Sequence, residues 1–402
     1  MKGERAFHNI ALIPFLHEKK KVLKMTTAAY IHIPFCHHIC HYCDFNKVFL
    51  KNQPVDQYIE QLAQEMKMRV SKSDQPFTSI FVGGGTPTAL SAAQLEQLCV
   101  SIKETLSFNE EIEYTFEANP GDLSMDKIKI LKDHGVNRLS FGVQSFNDEL
   151  LEKIGRNHRA IDVKRSIEDA QIAGFTNISI DLIYSLPTQT LKDFEHTIDH
   201  ALALDLPHYS GYSLIVEPKT VFYNLLRKGK LPLPGEDIEA SMYELLMEKM
   251  EAHGRKQYEI SNFARPGYES KHNLVYWDND EYYGFGGGAH GYVNGIRYSN
   301  IGPVKKYMDS IYAGQLPTMH EHPVTKNEKM EEEMFLGLRK IEGVSLSRFK
   351  ERFDLSVQDL FGESIAEMTS KGWLETKDDR MRLTKQGRYL GNEVFQSFIG
   401  VI

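Results

Sequence analysis

Three of the chain's four cysteines fall within eight positions, in Cys36-His-His-Ile-Cys40-His-Tyr-Cys43. Thiolates at C-x3-C-x2-C spacing on one loop can converge on a single metal centre. Two chemistries compete for that spacing. An iron–sulfur cubane has four irons and usually four thiolates, so three leave one iron open to a small molecule. Zinc held by Cys3His, with His32, His37, His38 or His41 as fourth ligand, fills every tetrahedral position. Next along the chain is Val82-Gly83-Gly84-Gly85-Thr86-Pro87. Consecutive glycines let backbone groups approach a ligand. The segment lacks the Lys-Ser/Thr of a phosphate loop and does not fit the dinucleotide fingerprint. Alone it signals only a tight turn. Cys99 shares a helix face with Leu95, Leu98 and Ile102 and reads as core rather than as a fourth ligand.

These residues need elements to hold them. From Ala28 onward, short apolar runs alternate with helical periods. Strands are expected at Tyr30–Ile33, Ser79–Val82, Glu113–Phe116, Arg138–Gly142, Ile178–Ile183 and Tyr209–Leu214. Helices are expected at Val55–Val70 and Ser91–Leu106, the latter opened by a Ser91/Gln94 capping box. Such alternation implies a parallel sheet with right-handed crossovers. The cysteines follow strand one and the glycines strand two; Glu117 and Asn119 end strand three, Gln144 ends strand four and Asp181 lies in strand five. Parallel strands put these ends on one face. Five consecutive strands feeding one mouth favour an open, partial TIM-type barrel of about six βα units over a doubly wound sheet, which concentrates its site at one switch point.

Past Leu214 the rhythm breaks. A PLPG connection at 232–235 precedes a helix at Glu236–Glu251 and a strand near Gln257–Asn262. Residues 266–300, rich in Gly, Tyr and Asn, read as strands and loops over a site beside the barrel mouth. From about Thr325, helices followed by a small hairpin suggest a winged-helix-like module. Its 13 basic and 14 acidic residues suit a structural or protein-contact role better than DNA. The expected division is a disordered tail at 1–24, a barrel at 25–230, a connecting and pocket-forming region at 231–324 and the C-terminal module at 325–402. The tail lacks a secretory cleavage site, and Met25 is an alternative start.

Composition narrows the function classes. The 402 residues are 41% hydrophobic and 25% charged, which rules out disorder as the main theme. The formal charge of −8 argues against nucleic acid binding through bulk charge. No run approaches the roughly eighteen apolar residues of a membrane span. Four cysteines, three of them clustered, form no disulfide framework and point to a reducing, cytoplasmic setting.

Taken together, YIHIPFCHHICHYCDF (30–45), GGGTPT (83–88), FEANP (116–120), RLSFGVQSF (138–146), IDLIYSLP (180–187) and KHNLVYW (271–277) resemble the radical S-adenosylmethionine (SAM) superfamily. More narrowly, they resemble the family of the oxygen-independent coproporphyrinogen III oxidase. The resemblance implies that Cys36, Cys40 and Cys43 ligate a 4Fe-4S cluster whose free iron chelates SAM. It implies that Tyr30, Gly84 and Glu117 line that cofactor. Tyr42, Gly85, Thr86, Gln144, Arg156 and Asp181 match positions that hold a second SAM in the oxidase. Carboxylates suit an ammonium or ribose hydroxyls, and Arg156 suits a carboxylate; an Arg in an ordinary surface pair is as common.

Two features separate the branches of that family. The oxidase carries a further Cys two residues after its third cluster ligand, where this chain has Phe45. His272-Asn-Leu-Val-Tyr276-Trp277 resembles the HNxxYW signature of the heme-chaperone branch. The resemblance then implies heme as ligand, with His272 on the iron and Tyr276 and Trp277 against the ring. It implies a heme-acceptor protein as partner, membrane respiratory enzymes among the candidates. The rival readings are oxidative decarboxylation of coproporphyrinogen III and a non-catalytic zinc module. Gly284-Phe-Gly-Gly-Gly-Ala289 fits G-x-G-x-x-A without a strand–loop–helix setting. His290 beside it is a second candidate for facing the porphyrin, core packing being the alternative.

Overall fold

A computed structural model describes residues 26–70 and 76–402. The expected disordered tail at 1–24 lies outside the described residues. Strand β1 (Ala28–Ile33) leads into the cysteine loop, where β2 (Phe35–Cys36) and β3 (Val48–Phe49) form a short parallel pair. Strands β4 (Phe77–Gly84), β5 (Phe108–Ala118), β6 (Arg138–Gln144), β7 (Asn177–Tyr184) and β8 (His208–Ser213) follow, each preceded by a helix. These six main strands pair in parallel in chain order, as the alternation predicts.

The sheet is wider than the sequence reading. Beyond β8 lie β10 (Asn262–Ala264) and β9 (Lys256–Glu259), a hairpin joined antiparallel. On the other edge β11 (Tyr283–Phe285) pairs in parallel with β1. The full order is β11-β1-β4-β5-β6-β7-β8-β10-β9. The segment 231–324, expected to connect and form a pocket, thus gives three strands to the barrel sheet. It also supplies the whole of a small antiparallel sheet, β12 (His290–Val293), β13 (Ile296–Asn300) and β14 (Thr318–Pro323).

Alternation along the strands sorts the two faces of the barrel wall. Ile80, Val82, Tyr114, Phe116, Leu139, Phe141, Ile178 and Ile180 join the apolar core under the helices. On the opposite face stand Ser79, Glu113, Thr115, Arg138, Ser140, Ser179, His208 and Ser210, all buried. The barrel lumen is therefore polar. Helix Ala92–Thr105 opens with the expected capping box, and Cys99 is buried on its inner face. Helix Val55–Arg69 buries Glu65 beside Tyr58, Leu62 and Met66. That carboxylate accepts from the Gly286 amide (2.8 Å), Tyr307 Oη (2.7 Å) and Asn300 Nδ2 (2.6 Å). This accounts for the glycine run at 284–288. Gly286 has φ +97°, and a Cβ there would sit 2.4 Å from the His32 carbonyl oxygen.

The C-terminal module has its own core, from Met330 and Phe349 to Phe361 and Phe398. It combines three helices, Lys326–Gly337, Leu346–Phe353 and Val357–Ser370, with a sheet in the order β15 (Val344–Ser345), β17 (Arg380–Leu383) and β16 (Leu374–Lys377); β15 lies between the first two helices, and the hairpin of β16 and β17 follows the third. The hairpin turns through Asp378 at φ +53°. Among the described residues no helix is long and apolar enough to cross a membrane.

Candidate functional site

The C-terminal ends of the six strands surround a cavity of about 390 Å³. Cys36, Cys40, Cys43, Tyr42, Gly84, Gly85, Thr86, Glu117, Gln144, Arg156 and Asp181 all line it, so eleven of the residues singled out by sequence meet at one mouth. Tyr30 does not reach it; its hydroxyl bonds His32 Nδ1 at 2.9 Å, lower in the lumen. The cysteine loop is tied down by Asn46, whose Nδ2 donates to the carbonyls of Gly287 (2.7 Å) and Gly302 (2.9 Å).

Burial pushes the Cys36 thiol up to about 11, against a hydrogen bond from Thr86, and Cys43 is raised for the same reason. Metal ligands must shed those protons, so binding releases them. Burial and the neighbouring Asp181 push Glu117 up to about 7, although the Gly84 amide donates to its Oε2 at 3.0 Å. Asp181 is raised mainly by burial. Gly84 holds φ +112°, which fits the close approach to His32 and Glu117. Arg156 is no surface pair. It donates to Cys40 Sγ (3.4 Å), Asn119 Oδ1 (3.0 Å) and the Gly142 carbonyl.

The HNxxYW segment lies elsewhere. It forms the helix Lys271–Trp277, which sequence reading missed, at the N-terminal end of the barrel rather than beside the mouth. The reason is a carboxylate: Glu113 accepts from Ser270 Oγ, Lys271 N and His272 N, satisfying the open amides of the first turn. His272 is buried. Its Nδ1 meets Ser79 Oγ at 3.0 Å and its Nε2 meets Tyr276 Oη at 2.8 Å, while Phe81 stacks on the ring. Ser79 sits five residues before Gly84 along β4, about 17 Å below the mouth at 3.3 Å per residue. Burial and Arg138 push the imidazole down to about 3 and hold it neutral. Tyr276 and Trp277 line a second cavity of about 410 Å³ with Tyr282, Arg297, Glu332, Phe335 and Leu336. His272 lines neither cavity, and His290 is exposed at the start of β12.

A family model described as the radical SAM superfamily matches residues 30–201, and one described as the HemN C-terminal domain matches 324–390. A relative from Bacillus subtilis (strain 168), named heme chaperone HemW, is 57% identical over 375 residues, covering 93% of this chain and 99% of the relative. The heme chaperone HemW of Lactococcus lactis subsp. lactis is 48% identical over 378 residues (94% and 98%), and that of Escherichia coli (strain K12) 32% over 379 (92% and 97%). Among solved structures, coproporphyrinogen III oxidase (HemN) from Escherichia coli, described as a radical SAM enzyme, matches with TM-score 0.83 at 24% identity. The match covers 94% of this chain and 91% of that one. That likeness shows a common fold. Fold, cysteine loop and the two family models together define a radical SAM protein with a HemN-type C-terminal domain. Within that class the chain belongs to the family of the heme chaperone HemW.

The superfamily implies a 4Fe-4S cluster and SAM, and the mouth fits both. Among the described residues no three His, Cys, Asp or Glu side chains group tightly enough to hold one metal ion. A cubane takes one thiolate per iron, so its ligands need not converge as zinc ligands do. Arg156 Nε is buried without an acceptor, an N–H left over for an anionic group in the cavity that Arg156 lines. Sequence reading noted Asn119 at a strand end but gave it no role, and it passed over Asn46. The FEANP run pointed to the first; nothing local pointed to the second.

Proposed function

We propose that this protein binds heme and hands it to acceptor proteins, on a scaffold holding a 4Fe-4S cluster through Cys36, Cys40 and Cys43 and SAM in the mouth cavity. The observation that carries the reading is Phe45. It lines the cavity, 63% exposed, at the position where the oxidase has its further Cys. Kinship with heme chaperones over nearly the whole chain supports it. A reduced cluster with SAM supplies one-electron chemistry. Glu117, beside Gly84, and Asp181 receive the cofactor's cationic and hydroxyl groups, and Arg156 Nε its carboxylate. Gly85, Thr86, Gln144 and Tyr42 complete that wall, and Tyr30 backs it through His32.

Heme packs on Tyr276 and Trp277 at the second cavity, with Phe335 and Leu336 of the C-terminal module opposite. His272 reaches the iron only if it gives up Ser79 and Tyr276. The acceptor, membrane respiratory enzymes included, meets the protein in the cytoplasm, and the module at 325–402 offers a contact surface. The test is one anaerobic preparation assayed for iron, sulfide, zinc, heme and coproporphyrinogen decarboxylation. The expected result is about four irons, heme binding and no decarboxylation. Oxidase-like formation of protoporphyrinogen overturns the chaperone reading, and stoichiometric zinc without iron overturns the cluster.

A further inference from the structure

Cys36 and Cys40 belong to different parts of the loop, yet a continuous run of side-chain hydrogen bonds joins them. Thr86 Oγ1 stands 3.7 Å from Cys36 Sγ. Asn119 Nδ2 donates to Thr86 Oγ1 at 3.0 Å. Arg156 Nη2 donates to Asn119 Oδ1 at 3.0 Å, and Arg156 Nη1 to Cys40 Sγ at 3.4 Å. The three residues come from separate places: the turn after β4, the end of β5 and the loop after helix Asp148–Lys153. Their meeting is a product of the barrel, not of local sequence.

The chain of bonds has a fixed direction. A guanidinium only donates, so Asn119 must turn its carbonyl oxygen to Arg156 and its amide nitrogen to Thr86. The Thr86 hydroxyl, already accepting, then has its own hydrogen free for the sulfur of Cys36. Both ends of the strap therefore present donors to cysteine sulfur, one of them charged. Aligned chains of this kind polarise one another. Hydrogen bonds to cluster sulfurs favour the more negative, reduced state and so set the reduction potential.

We infer that Thr86, Asn119 and Arg156 act as one positioning strap that raises the electron affinity of the cluster held by Cys36, Cys40 and Cys43. This rests on the reading of those cysteines as cluster ligands. It assigns Thr86 and Arg156 a task toward the cluster distinct from cofactor binding, and gives Asn119 its first task. Arg156 can serve both, since Nη1 and Nη2 are committed to the strap and Nε is left over.

The experiment is a redox titration of reconstituted full-length protein without SAM, followed by electron paramagnetic resonance, alongside iron and sulfide analysis. Thr86→Val removes the donor to Cys36 and leaves Asn119 and Arg156 in place. Asn119→Ala cuts the strap at its middle. Both variants should keep the wild-type iron content and titrate at a lower potential. The expected shift is about tenfold in the reduced-to-oxidised ratio at fixed poise, or about 59 mV for one electron. Thr86→Ser, which keeps the hydroxyl, should restore the wild-type value. Unchanged potentials in Thr86→Val and Asn119→Ala with a full cluster overturn the strap. Loss of iron in both also overturns it, since a strap that tunes must leave the cluster in place. A wild-type protein that takes up no iron defeats the cluster reading itself, a different outcome from either.

Discussion

The two ends of the barrel carry cavities of similar size, about 390 and 410 Å³, with opposite chemical character. At the mouth, groups are left wanting. Three thiols face the cavity, Glu117 and Asp181 are both held toward their protonated forms, and Arg156 Nε has no acceptor. At the base, most groups are spent. Both ring nitrogens of His272 are bonded, Glu113 satisfies the helix start, and Arg297 grips Glu332 through two bonds of 2.8 Å. Among the described residues the base keeps open groups too: Trp277 Nε1 and the Nε of Arg339, whose guanidinium lies over the Trp277 ring, are both buried without an acceptor. Unmet polar demand marks where ligands and reactive groups enter, and met demand marks where a side chain holds the fold. By that measure both ring nitrogens of His272 are taken up within the fold in this conformation, while Trp277 and Arg339 each keep an N–H to offer.

The largest effect that tests this contrast is at the mouth. Replacing Cys36, Cys40 or Cys43 with Ala should take iron from about four per chain to near zero. Heme binding at the base should survive, measured by absorbance titration of the same preparations. If heme binding falls with the iron, the two ends are not independent.

Next comes the base. His272→Ala strands Ser79 and Tyr276 Oη, so it should cost about 3 kcal/mol of stability in denaturant unfolding. If His272 also ligates iron, the heme Soret band shifts. An unchanged band with reduced stability would confine His272 to the fold. Trp277→Phe should weaken heme binding about threefold to tenfold while the band stays in place, and iron content should match wild type.

A smaller effect concerns protons at the mouth. Glu117 is pushed up from 4.5 to about 7, so the folded state binds more protons than the unfolded one across that window. The contribution of Glu117 to stability should therefore fall as pH rises from about 4.5 to 7, and Glu117→Gln should remove that part of the slope. On the proposed role of the Glu117 carboxylate toward SAM, SAM binding should run the other way and strengthen as pH rises through about 7. Equilibrium unfolding and calorimetric titration across the range check both signs.

The smallest change should come from Cys99→Ala. Cys99 lies on the core side of its helix, away from the cavity. Iron content should be unchanged, and only a modest loss of packing should appear in thermal unfolding.

The sequence made the mouth legible for a physical reason. Each main strand puts one face under helices, so it reads as an apolar run, and its polar residues cluster where the strand ends. The same logic could not show the base. Helix Lys271–Trp277 has only seven residues, too few for a period; its Ser270 cap is local, but Glu113, which takes up the amides of Lys271 and His272, is far away in sequence. Strand β11 is three residues inside a glycine-rich run. The polar lumen was hidden too: Ser79, Arg138 and His208 look like interruptions of strands until the barrel turns them to a common side. The motif at 272–277 was visible as letters, but the end of the barrel it occupies depends on the path of the chain.

That path has a consequence for how the protein is made. Strand β11, which covers the free edge of β1, is synthesised about 250 residues later. The Gly287 and Gly302 carbonyls that fasten Asn46 arrive later still. At roughly 5–20 residues per second, the nascent chain spends about 12–50 s with its first strand unpaired on one side. During that interval the cysteine loop has left the ribosome without the anchors that will fix it. The cluster proposed for Cys36, Cys40 and Cys43 would then find an open loop, and the last third of the chain closes behind it.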